Sequence, residues 1–470
     1  MHPSSAATPP FRIGRTRSRA HAYQAGVIAA ARVAGRLSRV VGAGGGTSAP
    51  GILIERLAPR FVERRSAAFP LGAVVVSGTN GKTTTTAMIA AILGAEGERV
   101  VTNASGANLF RGVAAALASA PSDATVGVFE VDEGALGRVV GMVRPRVLVL
   151  TNVFRDQLDR FGEPETVAGL LRDAAGRLPP DARLVANADD PLLWEALARS
   201  PVDRIGFAVE AAENGNRPTL GGDPEICPAC GDALRYERRT FAHLGRARCE
   251  GCGWSSGRPE LRARVAGPVR LGFMPLDVAG ERFVLPLGGL HNAYNAAAAV
   301  AATEALGIPA ARSTAALEGF RPRFGRAEEL VFGQRTLWVV LMKNPAGADA
   351  IIQQVAAEPA LGAVIVAVSD LAADGRDISW IWDAEFEWLA GLDVPVVAAG
   401  RRAPDVAVRL QYAGIDPAAV CTDPALALEA AAGASSSDRP IATLATYTAM
   451  LDLRRSVLGS RAASVADVSG

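Results

Sequence analysis

A glycine-rich turn with a lysine and threonines carries the strongest chemical signal in the 470-residue sequence. The stretch GTNGKTT (78–84) follows the apolar run AVVVSG, which predicts a strand, and opens a run that predicts a helix. In such a turn the backbone N–H groups surround phosphate oxygens, a lysine reaches the outer phosphates, and a hydroxyl can hold Mg²⁺. The general pattern would have glycine at Val76, so the match is to a shortened form, and a chance glycine-rich turn is the alternative. The predicted phosphate-binding residues are Gly78, Thr79, Asn80, Gly81, Lys82, Thr83 and Thr84, with Thr83 as a Mg²⁺ ligand.

Carboxylates follow the next apolar run, VGVFEV, at Glu130, Asp132 and Glu133. The carboxyl ends of parallel strands are where an open α/β sheet binds its ligands, and Mg²⁺ prefers oxygen ligands. We predict that Glu130 completes the Mg²⁺ shell and is catalytic, because the flanking Phe129 and Val131 look buried and leave it at the strand tip. For Asp132 and Glu133, a solvated turn is the alternative.

Four cysteines form two CxxC pairs that are separated by 18 residues. This spacing is typical of two knuckles that supply four thiolates to one tetrahedral Zn²⁺, and four thiolates leave no open position for catalysis. A structural zinc site is therefore predicted, with a redox pair or an iron site as alternatives. The predicted ligands are Cys227, Cys230, Cys249 and Cys252.

Nucleophiles for acyl chemistry are scarce elsewhere in the chain. Cys421 stands alone, and an incidental thiol is the simpler interpretation of it. The four histidines form no evident Ser–His or Cys–His arrangement. Nucleophilic acyl catalysis by this chain alone is therefore poorly supported.

Composition sets further limits on function. The chain has 49 Lys and Arg against 48 Asp and Glu, so its net charge of +1 gives no electrostatic basis for binding nucleic acid. Five cysteines in 470 residues argue against a disulfide-stapled secreted domain, and we expect a cytoplasmic protein. The basic, apolar stretch 20–41 is too interrupted for a signal peptide or membrane span and predicts an amphipathic helix.

The elements that position these groups are predicted to be those of an α/β protein. Short apolar runs alternate with helical patterns, as in a buried parallel sheet, and a Gly/Arg-rich bend at 320–326 precedes a second set of such runs. We predict an N-terminal helix and glycine-rich hinge over 1–52, a central phosphate-binding domain over 53–325 with the four-cysteine insertion at about 221–260, a C-terminal α/β domain over 326–458, and a flexible tail over 459–470.

Five segments together resemble the Mur ligase superfamily of ATP-dependent peptidoglycan ligases. The C-terminal half, with LMKNPAGADAII and SDLAADGRDISWIWDAEFEW within 341–388, the cysteine insertion and the GAGGGTSAPG entrance, is similar to one family within it, the MurT synthetase subunits of lipid II isoglutaminyl synthase. The five segments are GTNGKTT, TNVFRDQLDRFG (151–162), NADDP (187–191), GLHNAYNAAAA (289–299) and FGRAEEL (324–330).

The resemblance implies both a reaction and a partner. ATP would activate the α-carboxylate of D-glutamate in the lipid II stem peptide as an acyl phosphate, and ammonia would convert it to D-isoglutamine. The ammonia would come from a GatD-like glutaminase subunit, in a heterodimer that acts at the inner face of the cell membrane. A partner of this kind agrees with the scarcity of nucleophiles in this chain.

The resemblance also implies roles for further residues. Asn292 would contact the base or ribose of ATP and Arg326 would reach ATP when the domains close, with a helix cap and a surface charge as the respective alternatives. Asp374, or less favourably Asp370, would orient the histidine of the partner's glutaminase site, with capping of the turn at 375–376 as the alternative. Trp380 and Trp382 would pack between helix and sheet or belong to the partner surface.

Two positions depart from the expected patterns. Gln157 stands where the catalytic ligases usually have histidine, and Leu371 stands where MurT proteins have asparagine.

Two other functions are alternatives to amidation. A stand-alone Mur or folylpolyglutamate-type ligase would need a signature for an incoming amino acid in the last domain, which we do not find. A nucleotide-gated scaffold without catalysis would not need Lys82, Thr83 and Glu130 together.

Overall fold

The computed structural model describes residues 48–58, 60–103, 108–155, 163–211, 226–321, 326–371, 373–436 and 438–459. The helix predicted over 20–41 and the tail beyond 459 lie outside these ranges. The glycine-rich stretch GAGGGTSAPG (42–51) is predicted to be a hinge. This prediction is wrong for its last four residues, because Ser48–Leu57 is a helix. Pro50 is tolerated there because the first turn of a helix does not use its backbone N–H groups.

The first sheet has nine strands in the order β11-β10-β9-β6-β5-β4-β1-β3-β2. In this sheet, β2, β3, β1, β4, β5, β6 and β9 each pair in parallel with the next. The last two pairs, β9 with β10 and β10 with β11, are antiparallel. The parallel sheet that the apolar runs predict is therefore confirmed. The strands are β1 (Ala73–Ser77), β2 (Val100–Thr102), β3 (Val126–Glu130), β4 (Val147–Leu150), β5 (Arg183–Asn187), β6 (Arg204–Glu210), β9 (Leu261–Val265), β10 (Met274–Val278) and β11 (Glu281–Leu285).

Helices cover both faces of this sheet, and the alternation of side chains along β1 shows why. Val74 and Val76 pack with Met88 in one buried apolar cluster, while Val75 belongs to a second cluster that includes Val140. The helices of the described residues up to 321 are α1 (Ser48–Leu57), α2 (Phe61–Ser66), α3 (Lys82–Ala95), α4 (Phe110–Ser119), α5 (Glu133–Val143), α6 (Pro164–Ala175), α7 (Pro191–Ala196), α8 (Leu290–Glu304) and α9 (Ala310–Glu318).

The C-terminal region forms its own six-stranded sheet in the order β12-β13-β17-β14-β15-β16. The apolar runs TLWVVLM (336–342), AVIVAVS (363–369), VPVVAAG (394–400) and PIATLAT (440–446) predict four strands, all four are present, and they pair in parallel. The edge strands β12, antiparallel to β13, and β16 escaped prediction because their runs are short or charged. Its elements are β12 (Arg326–Phe332), β13 (Arg335–Leu341), α10 (Pro345–Ala356), β14 (Ala363–Ala367), β15 (Val396–Ala399), α11 (Ala403–Tyr412), β16 (Ala419–Cys421), α12 (Pro424–Gly433), β17 (Ile441–Ala445) and α13 (Tyr447–Leu458), with short 3-10 helices at Ser379–Trp382 and Phe386–Gly391.

The cysteine-rich insertion folds as a separate small unit, which we call the four-cysteine module (residues 226–260). Its centre is an antiparallel hairpin of β7 (Leu234–Phe241) and β8 (Leu244–Cys249), whose tip lies at 241–244. In the part of the chain that the structure describes, no helix is long and apolar enough to cross a membrane.

Candidate active site

The glycine-rich loop joins β1 to α3 as the sequence predicts, and two of its glycines are required. Gly78 and Gly81 have φ of 125° and 86°, which side-chain-bearing residues rarely adopt. A Cβ at Gly78 would lie 2.4 Å from Thr151 Oγ1, and one at Gly81 would lie 2.1 Å from Asn295 Oδ1. The loop is thus an open cradle at the N-terminus of a helix, a geometry that suits a phosphate.

Lys82 folds over this loop. Its Nζ donates to the carbonyl oxygens of Gly78 at 2.6 Å and Thr79 at 3.2 Å. It also forms an ion pair with Glu133 Oε1 at 2.8 Å, and both side chains are nearly buried. Lys82, the only positively charged residue of the loop, therefore lies beside the phosphate cradle, and Glu133 partly neutralises its charge.

The segment 151–154, which follows β4, holds the phosphate loop in place through hydrogen bonds. Thr151 Oγ1 donates to Asn80 O at 2.7 Å, and the Asn152 side chain accepts from Asn80 N at 2.8 Å. Thr79 N donates to Asn152 O at 2.9 Å, while the Thr79 hydroxyl accepts from Phe154 N at 3.1 Å. Thr79 is therefore buried and bonded within the protein, whereas Thr83 is exposed and lines the cavity beside the loop.

The three carboxylates lie together at the end of β3. Asn103 holds the backbone of Glu130 through paired bonds of 2.7 and 2.9 Å, and the Glu130 side chain lines the cavity beside the loop. Asp132 and Glu133 are 5% exposed, so the solvated-turn interpretation is wrong. Asp132 instead caps α5 by accepting from Gly134 N at 3.1 Å, and Glu133 pairs with Lys82.

The start of α8 closes another side of the cavity. Asn292 is buried; its Nδ2 donates to Gly288 O at 2.7 Å, and its Oδ1 accepts from Asn295 Nδ2 at 3.0 Å. Asn295 Oδ1 accepts from Thr85 Oγ1 at 3.2 Å, which ties α8 to α3. Asn292 is not the N-cap, which is Gly289, so the simple helix-cap alternative is wrong.

Two aspartates of the NADDP segment serve as internal supports. Asp189 accepts from Val209 N at 2.9 Å and from the Tyr294 hydroxyl at 2.8 Å. Burial raises the pKa of the Asp189 carboxyl, although both hydrogen bonds act in the opposite direction. Asp190 caps α7 by accepting from Leu193 N at 3.0 Å, and its other oxygen accepts from Val153 N at 2.7 Å.

The C-terminal sheet contributes residues that sequence reasoning missed. Lys343 Nζ donates to Thr79 O at 3.3 Å, and Asn344 Nδ2 donates to Asn80 Oδ1 at 3.0 Å. Asn344 is also the N-cap of α10, where its Oδ1 accepts from Gly347 N at 2.9 Å. An Asn-Pro pair before a helical run was a readable capping signal, but no local pattern indicates contact with a loop 264 residues away.

Together these elements enclose a cavity of about 280 Å³ between the two sheets. Its wall combines the phosphate loop, the β3 carboxylates, the start of α8 and residues of the C-terminal region. Arg326 begins β12 opposite Val340, and its side chain lies outside the described residues, as does Gln157.

The four cysteine sulfurs converge as predicted. Their Sγ atoms all lie within 4.8 Å of one another, and the closest pairs are 3.5 and 3.6 Å apart. Four thiolates at about 2.3 Å from one Zn²⁺ are separated by about 3.8 Å, so the donor set fits that metal. The backbone N–H of Cys252 lowers the pKa of the Cys249 thiol to about 7, whereas burial raises the pKa of the Cys227 thiol and the neighbouring Cys252 side chain raises that of Cys230, so a bound cation would be needed to hold all four as thiolates. In each knuckle a glycine, Gly231 or Gly253, donates its N–H to the first cysteine's carbonyl.

Asp370 and Asp374 lie after β14, far along the chain from the phosphate loop. Asp370 pairs with Arg401 at 3.3 Å and Arg402 at 3.2 Å, and these contacts lower the pKa of its carboxyl. Asp374 Oδ1 accepts from Thr448 N at 2.6 Å, whereas its buried Oδ2 has no hydrogen-bond partner among the described residues. Neither carboxylate therefore caps the turn at 375–376.

The fold and the site define a class of protein, the Mur ligases. Residues 76–219 match the Mur ligase middle domain, and residues 341–450 match the MurT ligase C-terminal family. A pseudomurein peptide ligase type C from Methanothermus fervidus superposes with a TM-score of 0.63 at 23% identity, covering 82% of this chain and 78% of that one. The MurF ligase from Thermotoga maritima in complex with ADP gives 0.58 at 15%, covering 88% and 84%.

Relatives narrow the class to one family. The chain is 38% identical over 397 residues to the "lipid II isoglutaminyl synthase (glutamine-hydrolyzing) subunit MurT" of Streptococcus pneumoniae, covering 83% of this chain and 87% of that protein. The same subunit from Staphylococcus aureus is 32% identical over 392 residues, covering 82% and 87%. The chain belongs to the MurT family, and it is a ligase.

Proposed function

We propose that this protein is the ATP-dependent synthetase subunit that amidates the α-carboxylate of D-glutamate in the lipid II stem peptide. The observation that carries the proposal is the cavity in which Lys82, Glu130 and the phosphate loop face residues of a MurT-type C-terminal sheet. The names of the relatives supply the substrate, and the cavity supplies groups for phosphoryl transfer.

In this proposal the loop amides and Lys82 bind the phosphates of ATP, Thr83 and Glu130 hold Mg²⁺, and Asn292 and Arg326 contact the nucleotide. The metal, when bound, neutralises charge on the phosphates. Lys82 stabilises the negative charge that grows on the transferring group, in a cavity where nearby dipoles are already fixed. Lys82 would have to exchange its ion pair with Glu133 for a phosphate oxygen when ATP enters.

The chemistry balances as two displacements. A carboxylate oxygen of D-glutamate attacks the γ-phosphorus, and ADP leaves. Ammonia then attacks the acyl carbon, its carbon–nitrogen bond forms as the carbon–oxygen bond to phosphate breaks, and the surplus proton leaves with the phosphate. The former carboxylate oxygen therefore ends in inorganic phosphate, and one carboxyl becomes one amide.

The proposal assigns ammonia production to a glutaminase partner in a heterodimer, at the inner face of the cell membrane where lipid II would be met. We assign Asp374 to orienting a histidine of the partner: its Oδ2 has no hydrogen-bond partner among the described residues, and because it is buried within this chain, the loop that carries Asp374 would have to shift for the histidine to reach it. Exposed aromatic side chains nearby fit a partner surface. Trp382 is 49% and Tyr412 76% exposed, and their rings meet edge to face at 5.3 Å.

Mass spectrometry of lipid II tests the proposal. The purified chain is incubated with lipid II, ATP and Mg²⁺, with an ammonium salt in one reaction and free amino acids in another. Conversion of one carboxyl to one amide with ammonium alone is the expected result. Addition of an amino-acid mass would contradict the proposal and favour a stand-alone ligase instead.

A further inference from the structure

The four-cysteine module reaches the phosphate loop through the tip of its hairpin. The ring of Phe154 lies against two tip residues, with ring centroids 4.5 Å from His243 and 5.9 Å from Phe241. Phe241 and Leu244 also line the cavity together with Phe154. A metal site would by itself account for a module of this kind, but the tip of its hairpin also forms part of the wall of the nucleotide cavity.

A second contact runs through the aspartates beside the tip. His243 Nε2 lies 3.8 Å from Asp190 Oδ2, the oxygen that accepts from Val153 N at 2.7 Å. Gly245 N donates to Asp189 O at 2.8 Å. The tip therefore supports two consecutive residues, Val153 by way of Asp190 and Phe154 by direct ring contact.

These two residues belong to the segment 151–154 that fixes the phosphate loop. Phe154 N donates to the Thr79 hydroxyl at 3.1 Å, so a shift of the Phe154 ring would move the second residue of the loop. The path from hairpin tip to loop is a chain of direct contacts between buried or half-buried groups, which transmit displacement because protein interiors are closely packed.

The tip itself is held by the rest of the module. The Tyr236 hydroxyl donates to His243 O at 2.7 Å, and the Thr240 hydroxyl donates to Val209 O at 2.9 Å in β6. At the other end of β8, Cys249 N donates to Trp254 O at 2.8 Å, and Cys249 belongs to the sulfur cluster. Both ends of the hairpin are therefore anchored.

We propose that Phe241 and His243, at the tip of the four-cysteine module, are positioning residues that set the affinity of the phosphate loop for nucleotide. The inference rests on the proposed function only in that the nucleotide is ATP. The metal site then has a consequence beyond the module, because it fixes the hairpin whose tip supports the loop.

Nucleotide binding to the full chain tests this inference. The dissociation constants of ATP and ADP are measured by equilibrium dialysis for the unaltered chain, Phe241→Ala, His243→Ala and the control Arg235→Ala. Arg235 lies on the same hairpin, with a side chain that is 69% exposed and that, among the described residues, forms an ion pair with the 63% exposed Glu250. We expect a rise of roughly tenfold for Phe241→Ala, the size of a lost aromatic contact, and no change for the control.

Further readouts separate positioning from general damage. Zinc content and melting temperature are measured on the same samples, and the KM for ATP is expected to rise while kcat at saturating ATP stays unchanged. Phe241→Leu, which keeps apolar volume, is expected to recover most of the affinity, and His243→Ala covers the case in which Phe241→Ala does not fold. Unchanged nucleotide affinity in folded, zinc-loaded Phe241→Ala or, where that variant does not fold, in His243→Ala, beside normal binding by the unaltered chain, would overturn the inference. Failure of the unaltered chain to bind ATP would instead contradict the proposed function.

Discussion

An ion pair holds the charged side chain of Lys82 at the phosphate cradle. Its pair with Glu133, at 2.8 Å between side chains that are 11% and 6% exposed, keeps a cation at the phosphate cradle without leaving it unpaired. Removing one partner of a buried pair leaves the other charge buried and alone, which costs about 3–5 kcal/mol. Loss of activity in a simple Lys82 variant could therefore reflect stability as well as chemistry.

A pair of variants separates these effects. We expect Lys82→Ala to abolish ATP turnover and to lower the melting temperature, because Glu133 loses its counter-ion. Lys82→Ala combined with Glu133→Gln should regain most of the melting temperature but none of the turnover. The measurement is phosphate release beside thermal unfolding. Turnover in the double variant near that of the unaltered protein would exclude Lys82 from the chemistry.

Substitutions of Asp374 and Asp370 are expected to differ in their effect on glutamine-dependent amidation, although the two residues lie only four positions apart. We expect Asp374→Asn to keep amidation with ammonium and to lose most glutamine-dependent amidation, because we assign its carboxyl to orienting the histidine of the partner's glutaminase site. Asp370→Asn is the matched control; its carboxylate is already engaged by Arg401 and Arg402. Both activities are measured on the reconstituted complex, and full glutamine-dependent activity of Asp374→Asn would exclude it from the glutaminase site.

Asp349 gives the molecule a predictable pH response. It is buried on α10, where its Oδ1 accepts from Glu385 N at 2.7 Å and Oδ2 has no hydrogen-bond partner among the described residues. Burial raises the pKa of its carboxyl from 3.8 to about 7; the charges of Glu385 and Glu387 act in the same direction, whereas the hydrogen bond from Glu385 N and the charge of Arg409 lower the pKa. Between these values the folded protein holds a proton that the unfolded chain has lost, so stability falls as pH rises.

The test is a comparison of Asp349→Asn with the unaltered protein across that range. Asparagine can still accept from Glu385 N and has no charge to bury, so its melting temperature should depend less on pH between about pH 4 and pH 7, where the carboxyl contributes up to about 1.4 kcal/mol per pH unit. The two curves should diverge toward high pH, with the variant more stable. Parallel curves would show that the folded carboxyl titrates like an exposed one.

At the scale of elements, we expect the stability of the four-cysteine module to depend on its sulfur cluster. Its apolar core is small, consisting of Cys227, Leu234, Ala247 and Cys249 with Tyr236 and Trp254 packed against it. Because a core of this size contributes little to folding, we expect a bound metal to supply folding free energy to the module.

Cys227→Ser is therefore expected to lower zinc content and melting temperature together. Elemental analysis and thermal unfolding check this, with Cys421→Ser, on an edge strand outside the cluster, as the control. Zinc content of Cys227→Ser equal to that of the control would remove the metal-site interpretation.

The elements that sequence predicted well are those with a local cause. Buried runs such as Ala73–Ser77 and Ala363–Ala367 read as parallel strands because both faces are covered, and CxxC spacing reads directly as a cluster. The contact of Asn344 with Asn80 and the ion pair of Lys82 with Glu133 could not be read in this way. Both depend on how separate elements pack, which no local periodicity encodes.

At the scale of the whole molecule, the two sheets meet along the cavity and share one apolar cluster, which includes Val76 in β1 and Ile352 in α10. Polar contacts flank it: Gln354 Nε2 donates to Arg270 O at 3.1 Å, and Leu271 N donates to Glu358 at 3.2 Å. The C-terminal region is thus seated on the nucleotide side of the first sheet. A carboxylate entering this cavity would meet both the phosphate loop and Lys343, whose Nζ contacts the loop at Thr79 O.

We propose that ATP activates the substrate carboxylate before ammonia attacks it. The most direct measurement uses lipid II carrying ¹⁸O in the α-carboxylate of D-glutamate, incubated with the chain, ATP, Mg²⁺ and ammonium, followed by mass spectrometry of the released phosphate. We predict one ¹⁸O atom in each phosphate and its loss from the amidated lipid. Phosphate without ¹⁸O, formed while the lipid is amidated, would contradict the account.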